Sequence, residues 1–258
     1  MLGAQFFEVD VAACSRKLQS LADRVHYLLR TGGGINDPEV HIRALNHVMF
    51  REERLGYDHS ADARGNILNY FLHGVLARKL GTCVGLPLAY VAVAQRAGFP
   101  VQPVNVPDHV FARYKAFPPL PYPNIECTNG GKYTPDERYI RRFLVSDRGM
   151  ETGAYMRGLS RREHLGSLFY TAAAIPLKRG DYDQYIWYAE QSLELGPRDA
   201  FAHNEFARVF ASLAAHDPRR YGALRKRAQL LAQRATDLGY VPVELVPQPQ
   251  RPTTKENS

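Results

Sequence analysis

The chain has 258 residues, of which 45% are hydrophobic and 23% charged, with a formal net charge of +7; it is long enough to bury a sizeable core, as one large domain or as a medium domain with a helical annex. No apolar run reaches the roughly 18 residues of a membrane span, and the opening Met1-Leu2-Gly3-Ala4-Gln5-Phe6-Phe7-Glu8 lacks the basic and apolar regions of a signal peptide, so a cytoplasmic protein is expected. The basic residues are scattered, with Arg161-Arg162, Arg219-Arg220 and Arg225-Lys226-Arg227 the densest groups, which reads as a solvated face and argues against a nucleic-acid interface.

From Asp10 to Arg30 apolar residues recur at helical spacing through Val11, Cys14, Leu18, Leu21, Val25, Leu28 and Leu29, predicting a helix with Cys14 as a small core residue. Gly32-Gly33-Gly34 ends it, and Asn36-Asp37-Pro38-Glu39 opens a second helix expected to run to about Arg54. Its His41 and His47 do not share a face, which argues against a metal role. Asp58 to Asn66 is polar and loop-like, and Ile67 to Leu80 returns to helical spacing with Asn66 at the capping position. Gly81-Thr82-Cys83-Val84-Gly85 then opens a segment that is apolar nearly all round and stops at Gly98. This predicts a buried helix with Cys83 at its N-terminal end and Pro87 in its first turn. Val101 to Val106 and His109 to Tyr114 alternate and read as antiparallel strands joined through Pro107-Asp108. Phe117 to Pro123 is too proline-rich for a regular element. Asn124 to Thr128 reads as a short strand, and Tyr133-Thr134-Pro135-Asp136-Glu137 starts a helix carrying Tyr139, Ile140, Phe143 and Leu144.

Ser146 to Arg162 reads as a polar linker. Beyond it, Leu168 to Pro197 fits a tetratricopeptide-like helix pair, with Ala173 small in the first helix, Gly180 and Tyr182 at the turn, then Ala189, Leu193 and Pro197. Phe201 to Leu213 and Tyr221 to Leu238 read as a second, degenerate pair. Each pair has an apolar face that needs a neighbour, so both are expected to stack on the core. The division expected is a core over residues 1–150, a helical region over 163–240 and a polar, proline-rich, disordered tail over 241–258.

The three cysteines, Cys14, Cys83 and Cys127, cannot all pair with one another and fit no zinc spacing, so reduced thiols are expected. Gly32-Gly33-Gly34 neither follows a strand nor precedes a lysine, and no carboxylate-dense loop suits calcium; no cofactor and no metal are expected. A thiol at a helix N-terminus sits where backbone N–H groups and the macrodipole favour the thiolate. His109, on a neighbouring strand, is the candidate base for Cys83, because an imidazole titrates near neutrality. Cys127 is expected to pack on the opposite face.

Four blocks carry a family resemblance: Asp62-Ala63-Arg64-Gly65-Asn66-Ile67-Leu68, the Gly81-to-Phe99 segment, Pro107-Asp108-His109-Val110-Phe111-Ala112-Arg113, and Glu126-Cys127-Thr128-Asn129-Gly130-Gly131. With the helical tail, they resemble the papain-like, transglutaminase-like superfamily, and within it the SirB1-type branch. The resemblance implies an α+β papain-like core with an antiparallel sheet, followed by an all-α tetratricopeptide-like tail. It also implies amide-bond chemistry through a thioester on a protein or peptide: protease, deamidase or transglutaminase, with hydrolysis ranked first because water is always available. Cys83, His109 and Glu126 would form the triad, with Glu126 standing where the family has an aspartate, one methylene shorter. Asp108 is the fallback partner for His109. Asn66 would help to shape the site or its oxyanion hole. The alternative is an inactive protein-binding module that works through the helical tail.

Overall fold

The computed structural model describes residues 2–242, so the tail expected to be disordered lies, but for its first two residues, outside the described residues. A short 3-10 turn at Leu2–Gln5 precedes α1 (Val11–Gly32), whose cap Asp10 accepts the Ala13 N–H at 2.7 Å. The buried stripe of α1 starts at Leu18; Val11 is exposed and Cys14 half-buried, so Cys14 is not the core residue its spacing suggested. Helix α2 (Pro38–Asn46) is capped by Asp37 and passes into a π turn, His47–Glu52, in place of a straight helix to Arg54. The wider turn leaves Val48 and Met49 both fully buried.

Strand β1 (Gly56–Tyr57) pairs in parallel with β2 (Leu80–Gly81). Between them lie a 3-10 turn, Ile67–Tyr70, and α3 (Leu72–Arg78). The single helix expected from Ile67 to Leu80 is therefore broken at Phe71, which has extended backbone and is buried. The break leaves Asn69 free to turn its amide inward, where it donates to Asp58 Oδ2 at 2.8 Å and to the Ala63 carbonyl at 2.9 Å. Helix α4 (Gly85–Arg96) is buried on most of its surface and is followed by Gly98 in the left-handed region, as its sequence predicts.

Strands β3 (Val101–Val106), β4 (His109–Tyr114) and β5 (Asn124–Ile125) form an antiparallel sheet in that order, with Val106 opposite His109. β5 stops short of the expected Thr128 because the Glu126 carboxylate caps a 3-10 turn at Cys127–Asn129. Helices α5 (Asp136–Arg142) and α6 (Asp147–Glu151) follow. The segment read as a polar linker is packed: the Met156 and Leu159 N–H groups donate to the Asn105 and Pro103 carbonyls at 3.0 and 2.9 Å, extending the sheet past β3, and Tyr155 and Leu159 are buried.

The C-terminal portion is helical: α7 (Arg161–Arg179), opened by a Ser160–Glu163 capping box, then α8 (Tyr182–Leu195), α9 (Ala200–His216), α10 (Pro218–Tyr221) and α11 (Leu224–Asp237). One apolar core joins α1, α2 and α4 to the sheet, a second fills the tail, and a third lies between β3, β4, α5 and the end of α11. The second core takes in Phe71 together with Leu2, Phe6 and Phe7, so the tail is fastened to the rest of the molecule by apolar packing. The chain is thus a mixed α+β protein with an antiparallel sheet and a helical C-terminal portion. Among the described residues no helix is long and apolar enough to cross a membrane.

Candidate active site

Cys83 stands on the turn that leads into α4. The first helical hydrogen bond runs from the Leu86 N–H to the Thr82 carbonyl at 3.1 Å, so the thiol lies within the first hydrogen-bonded turn although the regular helix starts two residues later. Thr82 holds that turn from both sides. Its N–H donates to the Asn69 carbonyl at 3.2 Å, and its hydroxyl accepts the Val84 N–H at 3.3 Å. The backbones approach so closely that a Cβ on Gly85 would overlap the Asn69 carbonyl, which accounts for the glycine there.

His109 opens β4 immediately after the Pro107-Asp108 turn, in which Asp108 takes a positive φ of 54°. The Cys83 thiol points at the Asp108 carbonyl, 3.9 Å away. The His109 ring lies flat on Phe143, with centroids 4.6 Å apart and planes 9° from parallel, and its Nε2 meets Glu126 Oε2 at 2.9 Å. With Nε2 donating to the carboxylate, Nδ1 is the nitrogen left for the sulfur. The Asp108 carboxylate is exposed and lies 3.9 Å from Arg64, so the fallback partner for His109 is not used.

Glu126 is held on every side. Oε2 also accepts the Tyr139 hydroxyl at 2.9 Å, while Oε1 accepts the Thr128 N–H at 3.0 Å and the Thr128 hydroxyl at 2.6 Å. Four donors fill the lone-pair sites of one carboxylate. The His109 and Glu126 side chains are only 9% and 11% exposed. Burial alone would lower the imidazole and raise the carboxyl. The Cys83 contact and the hydrogen bond and charge of Glu126 overcome this, holding His109 above its ordinary value; His109 and Thr128 in turn hold Glu126 below its own.

The structure thus brings Cys83, His109 and Glu126 to one place, from a helix start, a strand and a strand end. Asn66 stands apart: its side chain caps the 3-10 turn behind the Cys83 loop by accepting the Leu68 N–H at 3.2 Å. Cys127 is buried, its sulfur directed at the Ile125 carbonyl, and burial pushes its thiol up. His41 is spent on Tyr114 Oη and the Ile35 carbonyl, each at 2.8 Å. Sequence reasoning missed Asn69, Thr128, Tyr139 and Phe143. Asn69 had a signal, a lone amide in the run Ile67-Leu68-Asn69-Tyr70-Phe71, whereas the others are ordinary residues of a turn and a helix. Among the described residues no group of three or more His, Cys, Asp or Glu side chains is placed to hold a metal ion.

Cys83 at the head of the buried helix thus shares one site with His109 on the middle strand of the antiparallel sheet and Glu126 just past its edge strand. The profile of the transglutaminase-like superfamily matches residues 12–166, and the chain belongs to that superfamily. It is similar to F-box only protein 21 of Mus musculus, 34% identical over 71 residues, and of Homo sapiens, 32% identical over 71 residues; each match spans 28% of this chain and 11% of the relative. No solved structure matches.

Proposed function

We propose that the chain is a cysteine enzyme acting on amide bonds of a protein or peptide, with hydrolysis as its first-ranked reaction. The observation that carries this reading is the single chain of contacts from the Cys83 thiol through His109 to Glu126, closed by four donors on the carboxylate. In the reaction the sulfur, whose proton is held on Nδ1 of the His109 imidazolium, attacks the amide carbonyl carbon as the thiolate. The tetrahedral intermediate collapses as the C–N bond breaks. The imidazolium proton goes to the leaving amine, and a thioester remains. Water, giving a proton to the same imidazole, then attacks the thioester carbonyl; the C–S bond breaks, the acid leaves and the thiolate beside the imidazolium is restored. The Cys83 N–H, which meets no acceptor among the described residues, stands at a helix start where negative charge on the carbonyl oxygen is stabilised. Asn66 shapes the site by capping the turn behind this loop.

The helical tail supports assignment to the SirB1-type branch with tetratricopeptide-like helices. Ala173 is buried in α7, Gly180 takes the left-handed conformation at its end, and α8 follows at once. The three free thiols fit a reducing compartment such as the cytoplasm.

The test is alkylation by iodoacetamide at pH 7, read by mass spectrometry at each cysteine. Cys83 should react first, and His109→Ala should slow it by about 10²-fold, the low end of a general base's contribution. An unchanged Cys83 rate in His109→Ala would leave the tail-based binding module as the better reading.

A further inference from the structure

The cavity that holds Cys83 and His109 does not end at the core. It continues between β3 and the tail, where α7, α8 and α9 supply its wall, for a total of 380 Å³. Its apolar lining includes Leu168, Leu177, Phe206 and Val209. Tyr155, Asn105 and Asp199 lie together at one end, in a polar lining that also includes Ser167, Thr171 and Glu205. Tyr155 is 2% exposed, and neither its hydroxyl nor the buried Oδ1 of Asn105 has a hydrogen-bond partner among the described residues. The two residues are neighbours, because the Met156 N–H donates to the Asn105 carbonyl at 3.0 Å. Asp199 enters as the N-cap of α9, with Oδ1 accepting the Ala202 N–H at 2.9 Å.

No cation pairs with Asp199 among the described residues. The nearby Arg157 and Arg198 are spent on Glu163, at 2.6 and 3.1 Å. Burial accordingly pushes the Asp199 carboxyl up. His164, on the same wall, adds no positive charge, since burial pushes its imidazole down to about 4. A buried hydrogen-bonding group left unmade costs about 1–3 kcal/mol, and here two such groups, Asn105 Oδ1 and the Tyr155 hydroxyl, lie beside a carboxylate that has no cation among the described residues. Asn105 Oδ1 and the carboxylate can only accept, and the tyrosine hydroxyl can do so. An ammonium on an apolar stem offers three donors, one positive charge and methylenes for the apolar sides.

We propose that this end of the cavity is a specificity pocket for a lysine-type side chain of the protein or peptide bound across Cys83. It rests on the catalytic reading only for what is bound across Cys83, since the pocket itself is defined by two unpartnered groups and a carboxylate without a cation among the described residues.

The test uses full-length protein carrying Cys83→Ala and two probes with the same stem, N-acetyl-lysine methylamide and N-acetyl-norleucine methylamide, titrated by ligand-observed NMR. The lysine compound should bind about tenfold tighter or better. Asp199→Asn, which retains a capping oxygen, should abolish that preference; Tyr155→Phe, which keeps the ring, should reduce it. Equal affinities, no binding of either compound, or a preference that survives both substitutions would overturn the proposal. Should Asp199→Asn fail to fold, Tyr155→Phe decides alone. Because Cys83→Ala cannot form a thioester, these outcomes concern the pocket alone, and alkylation of Cys83 with and without His109 concerns the chemistry alone.

Discussion

The Glu126 carboxylate serves two ends from one place. The backbone leaves β5 at Ile125, so that the carboxylate both caps its own 3-10 turn and meets His109. Removing its charge while keeping its shape should release the imidazole: in Glu126→Gln the His109 titration, followed by NMR at the ring protons, should fall from about 9 toward or below the ordinary 6.5. Stability should follow with a definite sign. His109, raised in the folded state, stabilises fully below pH 6.5 and loses this as pH rises through about 9; Glu126, depressed, stabilises above 4.5 and loses this as pH falls toward about 2. The gap in unfolding free energy between wild type and Glu126→Gln should therefore be widest between pH 4.5 and 6.5 and shrink toward pH 9. A gap independent of pH would mean that the pair is not charged as described. Cys83 and His109 were legible in the sequence because each is a reactive residue type at a recognisable point of an element. Thr128 and Tyr139 were not, because a hydrogen-bond partner brought in by a turn or a later helix leaves no spacing to read.

Among the elements, the 3-10 turn at Ile67–Tyr70 acts as a bracket for the nucleophile. Its Asn69 carbonyl receives the Thr82 N–H, and a Cβ on Gly74 or Gly85 would overlap the carbonyls of Leu68 or Asn69. Gly85→Ala must therefore push α4 away from this turn. Overpacking of this kind costs about 1–3 kcal/mol, and the displaced turn should also slow Cys83 alkylation. Chemical denaturation and the alkylation assay read the two effects, and a variant as stable and as reactive as wild type would show that the approach is not needed. The sequence led to a continuous helix here because periodicity registers apolar spacing only. The inward amide of Asn69 and its bond to Asp58 are tertiary facts that override it. Residues 146–162 were misread for a related reason: their polar residues outnumber Tyr155 and Leu159, yet those two reach the interior. The strands β3 and β4 were legible to their end residues because a valine-rich run and a Pro-Asp turn act together.

At the scale of the whole molecule, the first residues belong to the last core. Phe6 lies against Tyr188 with its ring tilted, Phe7 meets Phe71 and His73, and Gln5 accepts a hydrogen bond from the Tyr188 hydroxyl. Core and tail share the cavity wall as well, so they are expected to unfold in one transition. Truncating both half-buried rings in Phe6→Ala/Phe7→Ala should lower stability by about 2 kcal/mol or more while leaving a single transition. Two separate transitions by calorimetry would show that the tail is an independent unit.

The same contact sets a timetable for synthesis. Gln5 and Tyr188 are separated by 183 positions, and at about 5–20 residues per second a ribosome takes roughly 10–40 s to cover that span. Throughout this interval Phe6 and Phe7, joined by Phe71 once it is made, have no tail to cover them. The nascent chain therefore presents an aromatic patch to chaperones or to its own copies until α8 has emerged.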